Sequence, residues 1–358
     1  MKGVSVIIKS LNEEAHIEAA IRSALAGVRA VGGEVILADS CSTDRTIEIA
    51  RRFPITIVQL ADPGERCCGI GPQLGFQEAK CEYVFIMDGD MELEPGFLEV
   101  ALEEFDRDSS LAGVGGMMEE SGNLNVEFRQ RRLRASEKRK PGPATHLGGG
   151  GLYRAAAVRS VGFFSNRNLH SFEELELGVR LTHAGWKLIR LPLISRLHYP
   201  HQMGGYTLLL RRRKSGALMG SGECIRSALG KSYFFRIALH FMFLYVTAAW
   251  LAALCFVWLS PISEKGRLGI FFCVFMLPFV LLSLRYRRDL GVAVYCMVSW
   301  LFSLAGAVRG FLRPQVDPGS LVARRLVQQG DRIPVCRREK RESSSSVTPN
   351  GNRRSRVG

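Results

Sequence analysis

An apolar strand, Tyr83-Val84-Phe85-Ile86-Met87, runs directly into Asp88-Gly89-Asp90. Carboxylates there put negative charge where a sheet meets solvent, and ligands of open α/β sheets bind at such strand ends. Two carboxylates repel each other unless a cation lies between them, and a hard divalent ion carrying a phosphate suits that place. Asp-Gly is also a common turn dipeptide, so the pair alone leaves a polar turn open. A second acidic strand end, Asp39-Ser40, follows the stretch Glu34 to Ala38, which reads as a strand. A third acidic group, Glu173-Glu174-Leu175-Glu176, opens a helical stretch after Ser171. Complementing a helix dipole accounts for one or two of those glutamates, hardly for all three.

The elements that must position these groups alternate. Val4 to Lys9 reads as a strand, followed by a helix with apolar residues at Ile17, Ile21, Leu25 and Val28. That spacing is helical. Glu34 to Ala38 and Ile55 to Leu60 read as further strands, with a helix from Ile47 to Phe53 between them and another over Gly71 to Lys80. Ser42, Thr43 and Asp44 supply N-caps. Alternation of this kind predicts an α/β fold with a mostly parallel sheet and helices on both faces. Strand ends share an edge in such a sheet, so Asp39, Asp88 and Asp90 fall together, which favours a ligand site over a turn. Gly148-Gly149-Gly150-Gly151 is not a dinucleotide fingerprint; glycines there let backbone approach a ligand closely.

The last third changes character. Phe234 to Leu259, Leu268 to Leu284 and Leu290 to Val308 are apolar runs, charged only near the start of the first. Membrane-spanning helices need roughly 17–25 such residues, so the runs are candidate spans, the middle one short and containing Pro278. Val4 to Ile8 is too short for a signal-peptide core, which predicts a cytosolic N-terminal domain. The net charge of +14 is concentrated at Arg129 to Arg134, Lys138 to Lys140, Arg211 to Lys214, Arg285 to Arg288 and the tail from Arg337. Because such clusters flank apolar runs, membrane lipid headgroups explain them better than nucleic acid. Basic loops mark the cytoplasmic side. Three crossings would then put the basic tail on the wrong side, so either one run does not cross or the tail is an exception. The nine cysteines form no C-x-x-C pair and read as reduced.

Taken in order, the motifs resemble those of the family 2 glycosyltransferases, which have the GT-A fold. Val4 to Glu14 is similar to the family's opening strand and N-E motif, Ala38 to Thr46 to its D-x-x-S-T-D-x-T, and Asp88-Gly89-Asp90 to its D-x-D. Gly149 to Arg154 resembles the segment lining its acceptor site, and Glu173-Glu174-x-Glu176-Leu177 its E-D-x-x-L helix, with Glu174 where the family has Asp. The likeness covers about residues 3 to 200.

That resemblance implies an inverting transfer of a sugar from a nucleotide-sugar donor, UDP- or GDP-linked, to a lipid-linked or glycolipid acceptor. Mg²⁺ or Mn²⁺ would be held by Asp90 with Asp88. His198 resembles a family histidine that completes the metal shell, although an interfacial histidine fits as well. Asp39 would receive the nucleobase, with Asn12 and Glu13 positioning the nucleoside. Arg212, in the run Arg211 to Lys214, would hold the diphosphate; a headgroup contact is equally open. Glu174 is the candidate general base, with Glu173 its local rival. No Q-x-x-R-W motif follows, which favours single transfer over polymerisation. The expected organisation is a catalytic domain at 1–205, an amphipathic interfacial segment at 206–232, two to three transmembrane helices at 233–312, and a basic, largely disordered tail at 313–358. The protein would sit in the inner (plasma) membrane with its catalytic domain cytoplasmic. Two alternatives remain: a non-catalytic nucleotide-binding subunit of a polysaccharide export system, and a transferase attacking phosphorus.

Overall fold

The structure, a computed structural model, describes residues 3–121, 140–199, 203–286 and 289–334. The basic residues Arg129 to Arg134, Lys138, Arg139, Arg287, Arg288 and the tail from Arg337 lie outside the described residues.

Strand β1 (Val4–Ser10) is the hub. It pairs in parallel with β2 (Gly33–Asp39) and β4 (Tyr83–Asp88), and β2 pairs in parallel with β3 (Thr56–Leu60). Both faces of β1 are buried, which is why it reads as a continuous apolar run. Val4, Val6 and Ile8 face helices α1 (Ile17–Val31) and α4 (Phe97–Arg107). Ile7 faces α3 (Ile70–Glu78) on the other side; the short α2 (Thr46–Ala50) joins β2 to β3.

Beyond β4 the sheet becomes mixed. β8 (Gly151–Arg154) runs antiparallel to both β4 and β6 (Leu111–Glu120), while β9 (Lys187–His198) is parallel to β6. The short β5 (Met91–Leu93) and β7 (Gly142–Pro143) each pair antiparallel with β9. Helices α5 (Ala155–Ser160) and α6 (Glu173–His183) cover the second face.

The expected disordered tail needs correction over residues 313–334. Arg324–Gln328 forms β10, antiparallel to β3 at the edge of the same sheet. Further along, Ile333 exchanges backbone hydrogen bonds with Gly33. An open strand edge is a row of unpaired donors and acceptors, and a basic, Val/Leu-containing segment satisfies it.

Between the sheet and β10 lie α7 (Gly205–Lys214), a 3₁₀ turn (Ala217–Met219), α8 (Gly220–Ser227) and α9 (Phe234–His240). Then follow three helices long and apolar enough to cross a membrane: α10 (Met242–Leu259), α11 (Glu264–Arg285) and α12 (Leu290–Leu312). α10 and α11 form a hairpin. Pro278 has no N–H to give the carbonyl of Val274 four residues earlier, and the Trp250 indole donates to that carbonyl at 2.9 Å instead. A polar group so satisfied is tolerable in hydrocarbon.

α12 behaves differently, for it runs along the elements that follow the sheet. Tyr295 meets Tyr206 edge-to-face, and Arg213 lies over Phe302. Close approach then depends on glycines. A Cβ on Gly306 would meet the Leu218 carbonyl oxygen at 2.4 Å, one on Gly310 that of Met219 at 2.1 Å, and one on Gly222 that of Ala307 at 1.8 Å. Gly222→Val should therefore prise α12 from α8. The expected cost is about 1–3 kcal/mol, seen as a lower Tm of the detergent-solubilised protein. An unchanged Tm would mean the contact is not formed.

Candidate active site

Parallel register brings the chemistry to one level. Ser10 lies opposite Asp39, and Lys9 opposite Asp88, at the carboxyl ends of β1, β2 and β4. The Asn12–Glu14 segment is latched to the turn after β2. Asn12 takes a left-handed backbone (φ 59°), which asparagine tolerates. Its Oδ1 accepts from the Thr43 N–H at 2.7 Å, and the Glu13 N–H donates to Thr46 Oγ1 at 2.8 Å. Gly89 is small of necessity: a Cβ there would lie 2.9 Å from the Glu13 side chain.

Asp39 differs from expectation. It is fully buried and accepts hydrogen bonds from Ser10 Oγ (3.1 Å), the Ser42 N–H (2.9 Å) and hydroxyl, and Gln59 Nε2 (2.9 Å). Its carboxylate organises the turn, and a nucleobase would have to displace one of these donors. The two aspartates after β4 also part company. Asp88 Oδ1 is 2.8 Å from Lys9 Nζ, which also lies 3.5 Å from Glu173 Oε1. Asp90 instead faces His198, Oδ2 to Nε2 at 3.5 Å. That pairing follows from β5 and β9, whose register sets Met91 opposite His198, while the Tyr199 N–H donates to the Asp90 carbonyl at 3.0 Å.

Glu174 stands at the first turn of α6, partly open to the cleft, and accepts from the Gly149 N–H at 3.1 Å. The glycine segment is braced from β9: Arg196 donates to the Gly148 carbonyl (2.9 Å) and Arg190 to that of His146 (3.1 Å). Glu173 is buried against Lys9. Its neighbour Glu176 is committed to a buried ion pair with Arg180 at 2.8 Å, a structural use.

The crowded carboxylates perturb one another. Burial, then the charges of Asp90 and Asp88, push Glu13 up to about 8, with Arg211 pulling the other way. Burial and Glu173 push Glu174 up to about 7, against the pull of Lys9 and Arg196. Burial disfavours the Lys9 ammonium, but Asp88, Glu173 and Glu174 more than offset this and hold its pKa above the usual lysine value. Lys9, Arg190 and Arg196 were missed in the motif reading. Arg211, rather than Arg212, is the member of the basic run whose charge reaches Glu13; Arg212 is half-buried on α7.

Among the described residues no cluster of three His, Cys, Asp or Glu side chains forms a closed metal site. An Asp–imidazole pair beside a second aspartate nonetheless fits a magnesium- or manganese-type ion, which takes few protein ligands and keeps waters and phosphate oxygens. Helix α6 also meets the apolar elements. Leu175 and Val179 of α6 pack with Cys224 of α8, Ile237 of α9, Leu244 of α10 and Ala307 of α12. The rings of Phe172 and Phe241 are 4.9 Å apart, and those of His146 and His240 5.9 Å.

A raised carboxyl pKa has a linked consequence. Folded Glu13 keeps its proton between the ordinary 4.5 and about 8, so its contribution to stability falls as pH rises through that window. Glu13→Gln should therefore raise the Tm of metal-free protein, with a larger gain at pH 8 than at pH 5.5. An equal gain at both would show that Glu13 is not perturbed.

The profile described as Glycosyl transferase family 2 matches residues 5–165. An uncharacterised glycosyltransferase of Mycobacterium tuberculosis is 27% identical over 226 residues, 61% of this chain and 92% of that one. The succinoglycan biosynthesis protein ExoA of Rhizobium meliloti is 25% identical over 207 residues, 54% of this chain and 62% of ExoA. Among solved structures, the mannosyltransferase PcManGT of Pyrobaculum calidifontis, in complex with GDP-Man and Mn²⁺, aligns with a TM-score of 0.58 at 17% identity, over 87% of each chain. That likeness establishes the GT-A fold.

Proposed function

Since residues 5–165 are a family 2 glycosyltransferase domain, we propose that this chain transfers a sugar from a UDP- or GDP-linked donor to a membrane-embedded, lipid-linked acceptor. The observation that carries the reading is the junction of α6 and α10. Glu174 opens a helix packed by the residues that begin the apolar hairpin, so an acceptor rising from the bilayer there reaches its carboxylate first.

Glu174 is the general base in this scheme. A carboxylate held up to about 7 is matched to taking a proton from a hydroxyl near neutral pH. Glu173, engaged by Lys9, is the weaker candidate. Attack from the side opposite the leaving group gives inversion. Asp90 and His198, with Asp88 near, would hold Mg²⁺ or Mn²⁺, whose charge stabilises the departing diphosphate. Arg211, whose charge reaches Glu13, suits the diphosphate as well, with Arg212 beside it in the chain. Asn12 and Glu13 frame the nucleoside side, with Asp39 fixing their partner turn.

The expected outcome for the detergent-solubilised protein is metal-dependent release of nucleoside diphosphate from one donor of a panel. Asp90→Asn and Glu174→Gln should each lower kcat by about 10²–10⁴-fold, and the wild-type rate should rise with pH through about 7. Diphosphate release at the wild-type rate in Glu174→Gln would remove it as base. No release from any donor would favour a non-catalytic, nucleotide-binding subunit.

The same packing supports one topology. β10 shares a sheet with β1 to β4, which favours the segments before α9 and after α12 lying on one side of the membrane. An even number of crossings meets this: α10 and α11 span, while α12 lies in the interface along α7 and α8, with 206–232 beside it. A fluorescent-protein fusion after Gly358 should shine in the cytosol, and an alkaline phosphatase fusion there should be inactive. The reverse pattern would require three crossings.

A further inference from the structure

We propose that the groove between α12 and the α7–3₁₀ turn is a binding site for one anionic phospholipid of the bilayer. The inference rests on the membrane-associated reading above but not on the identity of the transferred sugar. Two adjoining cavities, of about 470 and 580 Å³, share Met219, Ala305 and Arg309. The first is walled by Leu218, Leu301, Phe302 and Gly306 with Arg213 at its rim; the second adds Val308, Leu312 and Arg313. Among the described residues no aspartate or glutamate lines either one.

The three arginines are not equivalent. Arg313 Nη1 lies 3.2 Å from the buried Glu223 carboxylate and is held there. Arg213 stacks over the Phe302 ring at 5.6 Å, and Arg309 is exposed in both cavities. Neither Arg213 nor Arg309 has an ion-pair partner among the described residues. Two uncompensated guanidiniums above an apolar floor match a phosphodiester that carries acyl chains: the forks suit phosphate oxygens, and the floor suits hydrocarbon. A free phosphate would use only the rim and leave the floor wet. The face is continuous with exposed Leu301, Val308 and Leu312 of α12, which would lie against the same bilayer.

The site also touches the catalytic helix through one turn of chain. Ser171 Oγ donates to the Ala217 carbonyl at 2.8 Å, and the His170 N–H donates to Glu223 at 2.9 Å. The groove wall and the segment leading into Glu174 are thus bonded together, and a lipid in the groove would act as a positioning ligand.

Native mass spectrometry of the full-length protein in detergent tests this. Titration with phosphatidylglycerol and phosphatidylcholine should show one phosphatidylglycerol bound at least tenfold tighter. Arg213→Ala/Arg309→Ala should lose that preference, and Arg213→Lys/Arg309→Lys should keep part of it. Equal uptake of both lipids, or an alanine variant that retains the preference at an unchanged Tm, would overturn the site. Inorganic phosphate should fail to displace the lipid at millimolar concentration; displacement would make this a free-anion site instead. Diphosphate release is read separately, so failure of the transferase reading leaves the lipid result interpretable.

Discussion

Lys9 stands among carboxylates that would otherwise drive each other apart. Asp88 and Glu173 touch its ammonium, and the charge of Glu174 reaches it from α6. Remove that cation and the sheet edge must either take up protons or open. The position is fixed by nothing local to Lys9 itself. It follows from the parallel register of β1 with β4, which places residue 9 beside residue 88. Burial and the charges of Asp90 and Asp88 instead hold the proton on Glu13. In the proposed reaction a divalent cation arriving with the donor would supply positive charge beside Asp90.

The second dependence is mechanical. α6 has the cleft at its N-terminus and the apolar elements along its flank. His170, immediately before it, is tied through buried Glu223 to Arg313 at the end of α12. Burying such a cluster is costly unless every member is paired, and here each is. Glu174, the start of the apolar hairpin and the returning chain are therefore packed together. β10 is more than an edge cover, because its pairing with β3 ties the chain after α12 to the sheet.

Much of the site was legible because its signals are local. An apolar strand ending in Asp88 and Asp90 can be read without a structure, and so can the acidic start of the helix bearing Glu174. What escaped depends on distant pairings. The Asp90–His198 contact is made by β5 and β9, more than a hundred residues apart in the chain. Arg190 and Arg196 brace the glycine segment from the same strand, with no motif to mark them. Asp39 looked available as a strand-end carboxylate, but its lone pairs are taken by Ser10, Ser42 and Gln59. Hydropathy marks α12 as a candidate span but could not show its packing along α7 and α8, because an apolar helix against protein and one in lipid have the same composition. Its Gly306 and Gly310, four residues apart, were the available hint of close helix packing.

In the proposed reaction an acceptor reaches Glu174 from the bilayer at the start of α10. Photo-crosslinking in reconstituted membranes tests this approach. Leu239→p-benzoylphenylalanine puts the probe on the exposed end of α9 beside His240, and Ala30→p-benzoylphenylalanine serves as a control on α1. Lipid adducts are expected at position 239 and none at position 30. Turnover of a lipid acceptor with no adduct at 239 would contradict entry at the start of α10.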